Sequence, residues 1–234
     1  MNNYNQEKSK LVNSVFDRVY KKYDLMNDIM SFGVHRLWKK KLVDWMNPQL
    51  GNKIIDVASG TGDLAKIISD KNNNKNLIYC AEPNQGMLET GEEKLKLLKN
   101  IKWYLNPAEK LPFKDNTFDF YTISYGIRNV SNINQCLKEA FRILKPGGRF
   151  LCLEFSKVEN EILNLLYQNY SKLIPLFGKI IVGSSDPYEY LITSIDKFYD
   201  QQELVELMGK NKFSNVQFRN LSNGISAIHS GWKI

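Results

Sequence analysis

An α/β fold, with a mostly parallel seven-stranded sheet flanked by helices, is predicted by three features of this 234-residue sequence. Short apolar runs alternate with helix-patterned segments from residue 53 onward. A glycine pair, Gly60 and Gly62, sits directly after the first run, and two more strand-like segments lie near the end of the chain. Strands and helices in alternation imply right-handed β-α-β units, hence parallel strands. With 43% hydrophobic and 12% aromatic residues the chain can fill one sizeable core, and no repeat or low-complexity linker divides it. A single domain over residues 1–234 is expected, with 1–50 as a helical cap and 51–234 as the sheet-bearing core.

Residues 7–46 read as helical, with Val12, Val15, Phe16, Val19 and Tyr20 at helical spacing. A break at Ser31–Gly33 precedes a second helix that carries Leu37, Trp38, Leu42 and Trp45. Lys53–Ser59 (KIIDVAS) is the first strand, and a helix starts at Gly62. Asn76–Glu82 is the second strand, followed by a helix through GMLETGEEKLKLL. Ile101–Leu105 and Phe118–Ser124 are the third and fourth strands. The helix INQCLKEAFRIL is stopped by Lys145-Pro146-Gly147-Gly148, and Arg149–Phe155 is the fifth strand. A helix near Gln201–Met208 and strands near Val216–Asn220 and Ile225–His229 complete the reading.

The net charge is +7, and residues 1–50 hold nine Lys/Arg against five Asp/Glu, so more than half of the excess is N-terminal. An anionic membrane surface, an anionic cofactor, nucleic acid and a plain solvated face all fit that balance. Within it, the run Arg36-Leu37-Trp38-Lys39-Lys40-Lys41 suits lipid headgroups or water alike. Cys80, Cys136 and Cys152 are too few and too widely spaced for a disulfide framework or a zinc cluster, and read as buried thiols in a reducing cytoplasm. Nothing in the sequence asks for a metal. The N-terminus has no secretory pattern, and the greasiest stretch, Ile162–Gly183, is interrupted by Lys172, Pro175 and Lys179. A cytoplasmic protein, peripheral at most on the inner face of a membrane, is expected.

In sheets of this kind, ligands bind beyond the carboxyl ends of the strands, at the switch in strand order. The residues there are Asp56–Gly62, Glu82, Pro107-Ala108 and Ser124–Asn129. Glycines between a strand and a helix let the backbone turn sharply and approach a ligand, with helix-start amides facing it. Gly60-x-Gly62-x-x-Ala65 fits a dinucleotide fingerprint, and Glu82, about 20 residues on, is placed for ribose hydroxyls. The loop alone therefore says adenosine-ribose binder, leaving a nicotinamide enzyme and an adenosyl-methionine enzyme both open. The Pro107–Phe113 loop and LKPGGRFL (Leu144–Leu151) favour the second.

Tyr23–Lys39 (YDLMNDIMSFGVHRLWK) resembles the N-terminal motif of the ubiquinone/menaquinone biosynthesis C-methyltransferase family. Arg142–Ser156 (RILKPGGRFLCLEFS) resembles its second motif, and ISYGIRNV and the ending GISAIHSGWKI are similar too. The likeness runs from about residue 12 to the end. It implies a Rossmann-like class I methyltransferase fold, S-adenosylmethionine as cofactor, and a polyprenylated benzoquinol or demethylmenaquinol as the partner methylated on a ring carbon. Carried over by position, cofactor contacts fall on Asp56, Gly60, Thr61, Gly62, Glu82, Pro107, Ala108 and Ser124. Three positions depart from the family: Glu82 where Asp is common, Pro107 where Asn or Asp is common, and Ser59 for a glycine. Proline lacks both an amide donor and a side-chain hydrogen bond, which leaves the Ala108 amide for the adenine.

The implied chemistry assigns catalytic roles. An aromatic carbon becomes a good nucleophile when a neighbouring hydroxyl loses its proton. Bringing a phenol from a pKa near ~10 to ~7 requires roughly 4 kcal/mol of selective stabilisation of the anion. Arg128, a permanent cation with directed donors, suits that task, although its pKa above ~12 bars it from acting as a base. Its alternative is an ion pair with Asp28 or Glu154 that closes the end of the sheet. Asn129 is placed to bond a second ring oxygen, and Tyr23 to orient either group. His35 has the intrinsic pKa of a general base, against which stand a packing role and a water relayed by Arg128. The Ile162–Gly183 segment, with Tyr167, Tyr170 and Phe177, is a candidate for the isoprenoid tail, for core packing or for a homodimer contact.

Three rivals remain. An RNA- or DNA-modifying methyltransferase would use the positive charge, but no N-P-P-Y-type motif follows the fourth strand and no nucleic acid is expected. A nicotinamide oxidoreductase shares the sheet. A non-catalytic lipid-binding partner in a quinone-synthesis complex would keep the pocket without needing Arg128.

Overall fold

Ile54, Ile55, Asp56 and Val57 form β1 and are all buried, the pattern of a strand covered on both faces. The computed structural model describes residues 33–158 and 186–234, together with Lys8, Val12, Ser14, Val15, Asp17, Tyr20, Leu25, Asn27, Asp28 and Ser31. Tyr23 and the segment 162–183 lie outside these residues. Around β1, one sheet of seven strands is built: β2 (Ile78–Glu82), β3 (Ile101–Leu105), β4 (Phe118–Ser124), β5 (Leu144–Phe155), β6 (Ser214–Leu221) and β7 (Ser226–Trp232). Their spatial order is β3-β2-β1-β4-β5-β7-β6. The first five pair in parallel, and β7 runs antiparallel to both neighbours. The chain moves outward one way from β1 to β3 and the other way from β4, so the switch lies between β1 and β4.

Among the described residues six helices flank the sheet: α1 (Val34–Met46), α2 (Asp63–Lys71), α3 (Gln85–Lys94), α4 (Ile133–Ile143), α5 (Asp186–Asp196) and α6 (Gln201–Lys210). Alternation along each strand divides the core in two. Ile54, Leu151 and Leu153 pack with Leu42 and Val43 of α1 and with Leu64, Ala65 and Ile68 of α2. Ile55, Val57, Phe150 and Cys152 face the other way, onto Cys136, Leu137 and Ala140 of α4 and Leu204 and Met208 of α6. Asn84 and Asn132 cap α3 and α4 by accepting from the Met87 and Gln135 amides, and Asp200 and Glu203 form a reciprocal capping box on α6.

Several element boundaries differ from the sequence expectation by a few residues, and two of the differences, at the start of β5 and the end of α3, have a clear physical cause. β5 begins at Leu144, which already pairs with Phe118, and the Lys145–Gly148 stretch is a bulge inside the strand rather than a stop before it. Gly147 takes a left-handed φ of 77°, and the bulge is held from the other side, where Gly147 donates to the Lys233 carbonyl and Lys233 to that of Gly148. α3 ends at Lys94, short of the expected leucines: Leu95 is buried, but Leu97 is exposed, so a further turn has no face to cover. Among the described residues no helix is long and apolar enough to cross a membrane.

Candidate active site

The carboxyl ends of β1, β2 and β4 open onto two adjoining cavities that share Ala58, Gly60 and Tyr125. One is largely apolar, walled by Val12, Met87, Pro107, Ala108 and Val130 with Glu82 and Asn129. The other is polar, walled by Lys39, Asp56, Ser59, Thr61, Asp63 and Ser124 with Asn27. Val12 and Asn27 bring the N-terminal segment to each cavity. Further contacts from that segment fall nearby: Lys8 Nζ donates to the Arg128 and Val130 carbonyls, and Asp17 accepts from Asn84 Nδ2 at 2.7 Å.

The backbone between the cavities is unusual. Ala58 and Tyr125 are non-glycine residues in the left-handed region, at φ 50° and 57°, and face each other across the switch point. Such conformations cost free energy and cluster where a backbone is held for a ligand. Gly126 has an ordinary φ but no room: a Cβ there would lie 2.5 Å from Ala58 Cβ.

Both carboxylates predicted at strand ends are here. Glu82 accepts from the Gly60 amide (2.9 Å) and the Asn84 amide (3.0 Å), which ties the glycine loop to β2. Burial nevertheless pushes its pKa up to about 7 against those two bonds. Asp56 is buried, and its Oδ1 accepts from Thr122 Oγ1 at 2.9 Å, while Oδ2 makes no bond of good geometry among the described residues beyond an approach of the Ala65 amide to the carboxyl. Burial lifts Asp56 to about 7 as well, opposed by the Thr122 bond and by Lys39. Ser124 also holds a buried hydroxyl without a partner among the described residues. Unpaired polar atoms lining one small cavity signal a ligand that completes them.

Sequence reasoning missed Lys39 and Asp63. Lys39 is only 7% exposed, and its Nζ lies 3.3 Å from Asp63 Oδ2, while Lys94 holds Oδ1 at 2.6 Å. Burial alone would raise Asp63, but the two ammoniums outweigh it and hold the carboxyl at about 2. Lys94 also reaches Thr61 Oγ1 at 3.3 Å.

The predicted catalytic residues separate. Asn129 lines the apolar cavity. Arg128 stands behind it, 7% exposed, with Nη1 donating to the Tyr125 carbonyl (2.7 Å) and to Glu154 Oε1 (2.6 Å). Of the two ion pairs weighed from the sequence, the one with Glu154 forms, and Asp28 binds Arg36 instead. Arg128 Nε is buried without a partner among the described residues. His35 lines neither cavity. Ser31 Oγ donates to the Asn27 carbonyl, so His35 donates from Nδ1 to Ser31 across 2.7 Å. Burial and the Lys39 charge press its pKa down to about 4, which leaves a weak base in a packing position. Gly62 also lines neither cavity: its φ of 81° starts α2, and a Cβ there would meet Leu95 at 2.7 Å and Trp103 at 2.9 Å. The positive φ and the lack of room for a Cβ both call for glycine there.

A model of the ubiE/COQ5 methyltransferase family matches residues 1–233. The chain belongs to that family. A ubiquinone/menaquinone biosynthesis C-methyltransferase, UbiE, from Rickettsia bellii is 49% identical over 97% of this chain and 94% of its own. One of the same name from Brucella suis is 47% identical over 97% and 87%. Among solved structures, S-adenosylmethionine-dependent methyltransferases from Thermotoga maritima (TM-score 0.68, 21% identity, 95% of this chain and 100% of that one) and Aquifex aeolicus (0.61, 18%, 84% and 89%) share the fold. The protein is thus a class I methyltransferase that uses S-adenosylmethionine, and the methyltransferase's two cavities fit that cofactor. The polar one offers a carboxyl, Asp56, and an ammonium, Lys39, to the two ends of an amino-acid zwitterion. The apolar one offers Met87, Pro107 and Ala108 to a purine and Glu82 to a ribose.

Proposed function

We propose that this methyltransferase transfers a methyl group to a ring carbon of a polyprenylated benzoquinol, a demethylmenaquinol, or both. What carries the reading is near-half identity, along almost the whole chain, to relatives named for that chemistry. Bound S-adenosylmethionine supplies an electrophilic methyl on a sulfonium. Asp56 and Lys39 hold its amino-acid end, Thr61 and Ser124 complete the polar wall, and Glu82 takes the ribose hydroxyls. Pro107 and Ala108 bound the adenine. The ring enters beside Asn129, whose side chain is at the cavity wall, and Arg128 lies behind with an Nε donor that no described residue takes.

In this arrangement Asn129 meets a ring oxygen and Arg128 favours its anionic form. Glu154 keeps the guanidinium in place and offsets part of its charge, so the stabilisation of a phenolate comes chiefly from directed donors in a water-poor cleft. With His35 outside the cavities, water relayed past Arg128 is the proton acceptor of choice. Tyr23 keeps its proposed orienting role. A polyprenyl tail partitions into lipid, and the exposed face of α1, with Leu37, Lys40 and Lys41, suits an anionic membrane surface.

The test is methyl-labelled S-adenosylmethionine with four detergent-dispersed acceptors: a demethyl-benzoquinol and a demethylmenaquinol, each reduced and oxidised. Label on the ring of a reduced acceptor only is expected. Cofactor binding without label on any of the four overturns the proposal.

A further inference from the structure

Asn129 is held from behind by a residue far along the chain. Its Oδ1 accepts from the Tyr190 hydroxyl at 3.1 Å, and its Nδ2 lies 3.5 Å from the Tyr125 carbonyl oxygen. Tyr190 is half-buried on α5, which packs against the short helical turn Ile127–Asn129. A primary amide has two ends of nearly equal shape and opposite hydrogen-bonding sense, two donors at one and an acceptor at the other. A phenol can donate to Oδ1 or accept from Nδ2, but the Tyr125 carbonyl only accepts. It therefore draws Nδ2 and leaves Oδ1 to the Tyr190 hydroxyl, whose donated bond holds the amide that way round. The NH2 group then faces the Tyr125 carbonyl and the cavity. At 3.5 Å the contact with Tyr125 is weak, so donor capacity is left for a ligand.

We propose that Tyr190 is a positioning residue for recognition of the substrate's ring oxygen: its hydroxyl locks the Asn129 amide so that N–H donors, not a carbonyl, face the cavity. This rests on the reading that an oxygenated ring enters beside Asn129. A ring oxygen that accepts charge as its proton leaves meets a donor in the locked orientation. In the flipped orientation it meets a carbonyl lone pair, which repels it. The orientation matters more for the anion than for the neutral hydroxyl, because hydrogen bonds to charged groups are the stronger ones. Tyr190 thereby favours deprotonation without touching the ring.

The experiment is a double-mutant cycle with Tyr190→Phe, Asn129→Ala and the pair, in the full-length protein. Methyl transfer to the reduced quinol is measured as kcat and KM across pH, alongside the Kd for S-adenosylhomocysteine and the Tm. Tyr190→Phe is expected to lower kcat/KM by about tenfold, the size of one hydrogen bond to a charged group. It should also move the rising limb of the pH profile upward, with cofactor-product affinity unchanged. In the Asn129→Ala background it should do nothing further. An equal loss in both backgrounds, an unmoved pH profile, or a loss that follows Tm and cofactor affinity makes Tyr190 a strut and overturns the proposal. Wild-type protein that methylates no quinol fails differently: the ring reading falls first and takes this one with it.

Discussion

Arg128 and Glu154 form a buried ion pair at the mouth of the site, with Nη1 2.6 Å from Oε1 and the two side chains 5% and 1% exposed. The pair lies across adjacent parallel strands, since Arg128 follows β4 and Glu154 ends β5, and Ser124 stands beside Leu153 in their register. Burial holds Glu154 above its ordinary carboxylate range even with Arg128 beside it. Arg128→Ala is therefore expected to lose at least a hundredfold in turnover while keeping cofactor affinity. It should also be less stable, because a buried carboxylate is left alone, at roughly 3–5 kcal/mol. The sign with pH follows from the raised pKa. Stability is greatest where Glu154 is protonated and is lost as pH rises through its folded-state pKa, so the deficit of Arg128→Ala should shrink toward pH 5. Denaturant melts at pH 5 and 8 check this, and a deficit that grows in acid contradicts it.

Asp56 sits in the cleft at a cost in desolvation, which a bound cationic group is expected to offset. Its folded-state pKa of about 7 lies above the ordinary 3.8. Without ligand it stabilises the fold below about pH 4, and that contribution is lost as pH rises to 7. Asp56→Asn is expected to raise Tm at pH 8, to lose that advantage at pH 5, and to weaken S-adenosylmethionine binding at least tenfold. In wild type, a cationic amino group beside Asp56 favours the carboxylate, so binding near pH 6.5 should release protons and weaken as pH falls. Calorimetry in two buffers of different ionisation enthalpy measures the release, and an identical heat in both sinks the assignment.

Lys39 should report on the other end of the zwitterion. Lys39→Met keeps the buried methylene stem and leaves Asp63 paired with Lys94, so the fold has little to lose. We expect S-adenosylmethionine affinity to fall about tenfold, as for one charge-assisted bond, with Tm within about 2 °C of wild type. Binding of adenosine, which carries no carboxylate, should not change. A matching loss for both ligands would place Lys39 in the fold and not in the site.

How much of this was legible beforehand depended on range. β3 and β4 were read to the residue because aromatic and β-branched runs bounded by turn residues declare themselves locally. Asp56, Glu82 and Ser124 were legible because strand ends define where ligands bind, and each is on or beside a strand end. Lys39 was not, since in RLWKKK it looks like one more solvated charge, and only the helical phase with Asp63 opposite buries it. Helical phase also divides that run, with Trp38 and Lys39 inside and Leu37, Lys40 and Lys41 outside. Arg128 follows the end of β4 as the strand reading has it, yet it stands behind Asn129, and its choice of Glu154 over Asp28 depends on the β4–β5 register, which no local pattern carries. His35 shows the converse: its ring had the right intrinsic pKa, and burial removed it.

Gly126 and Ala58 provide the last test, because their close approach joins the turn that bears Arg128 and Asn129 to the glycine loop. Gly126→Ala introduces no backbone strain at φ −112°, but its new methyl would lie 2.5 Å from Ala58 Cβ, so one of the two turns must move. Ala58 has little freedom to yield, held at φ 50° beneath the glycine loop. The expected result is a loss of about 1–3 kcal/mol in stability, as for overpacking elsewhere, and weaker binding of S-adenosylmethionine. Ala58→Gly removes the opposing methyl and suits a positive φ, so alone it should be close to neutral. Combined with Gly126→Ala it should restore both Tm and cofactor affinity. Rescue of both by the same second change would show that the turn bearing Arg128 and Asn129 and the loop facing the cofactor move as one unit through a single methyl-sized contact. Failure of Ala58→Gly to rescue either would place the damage elsewhere in the turn and separate the two.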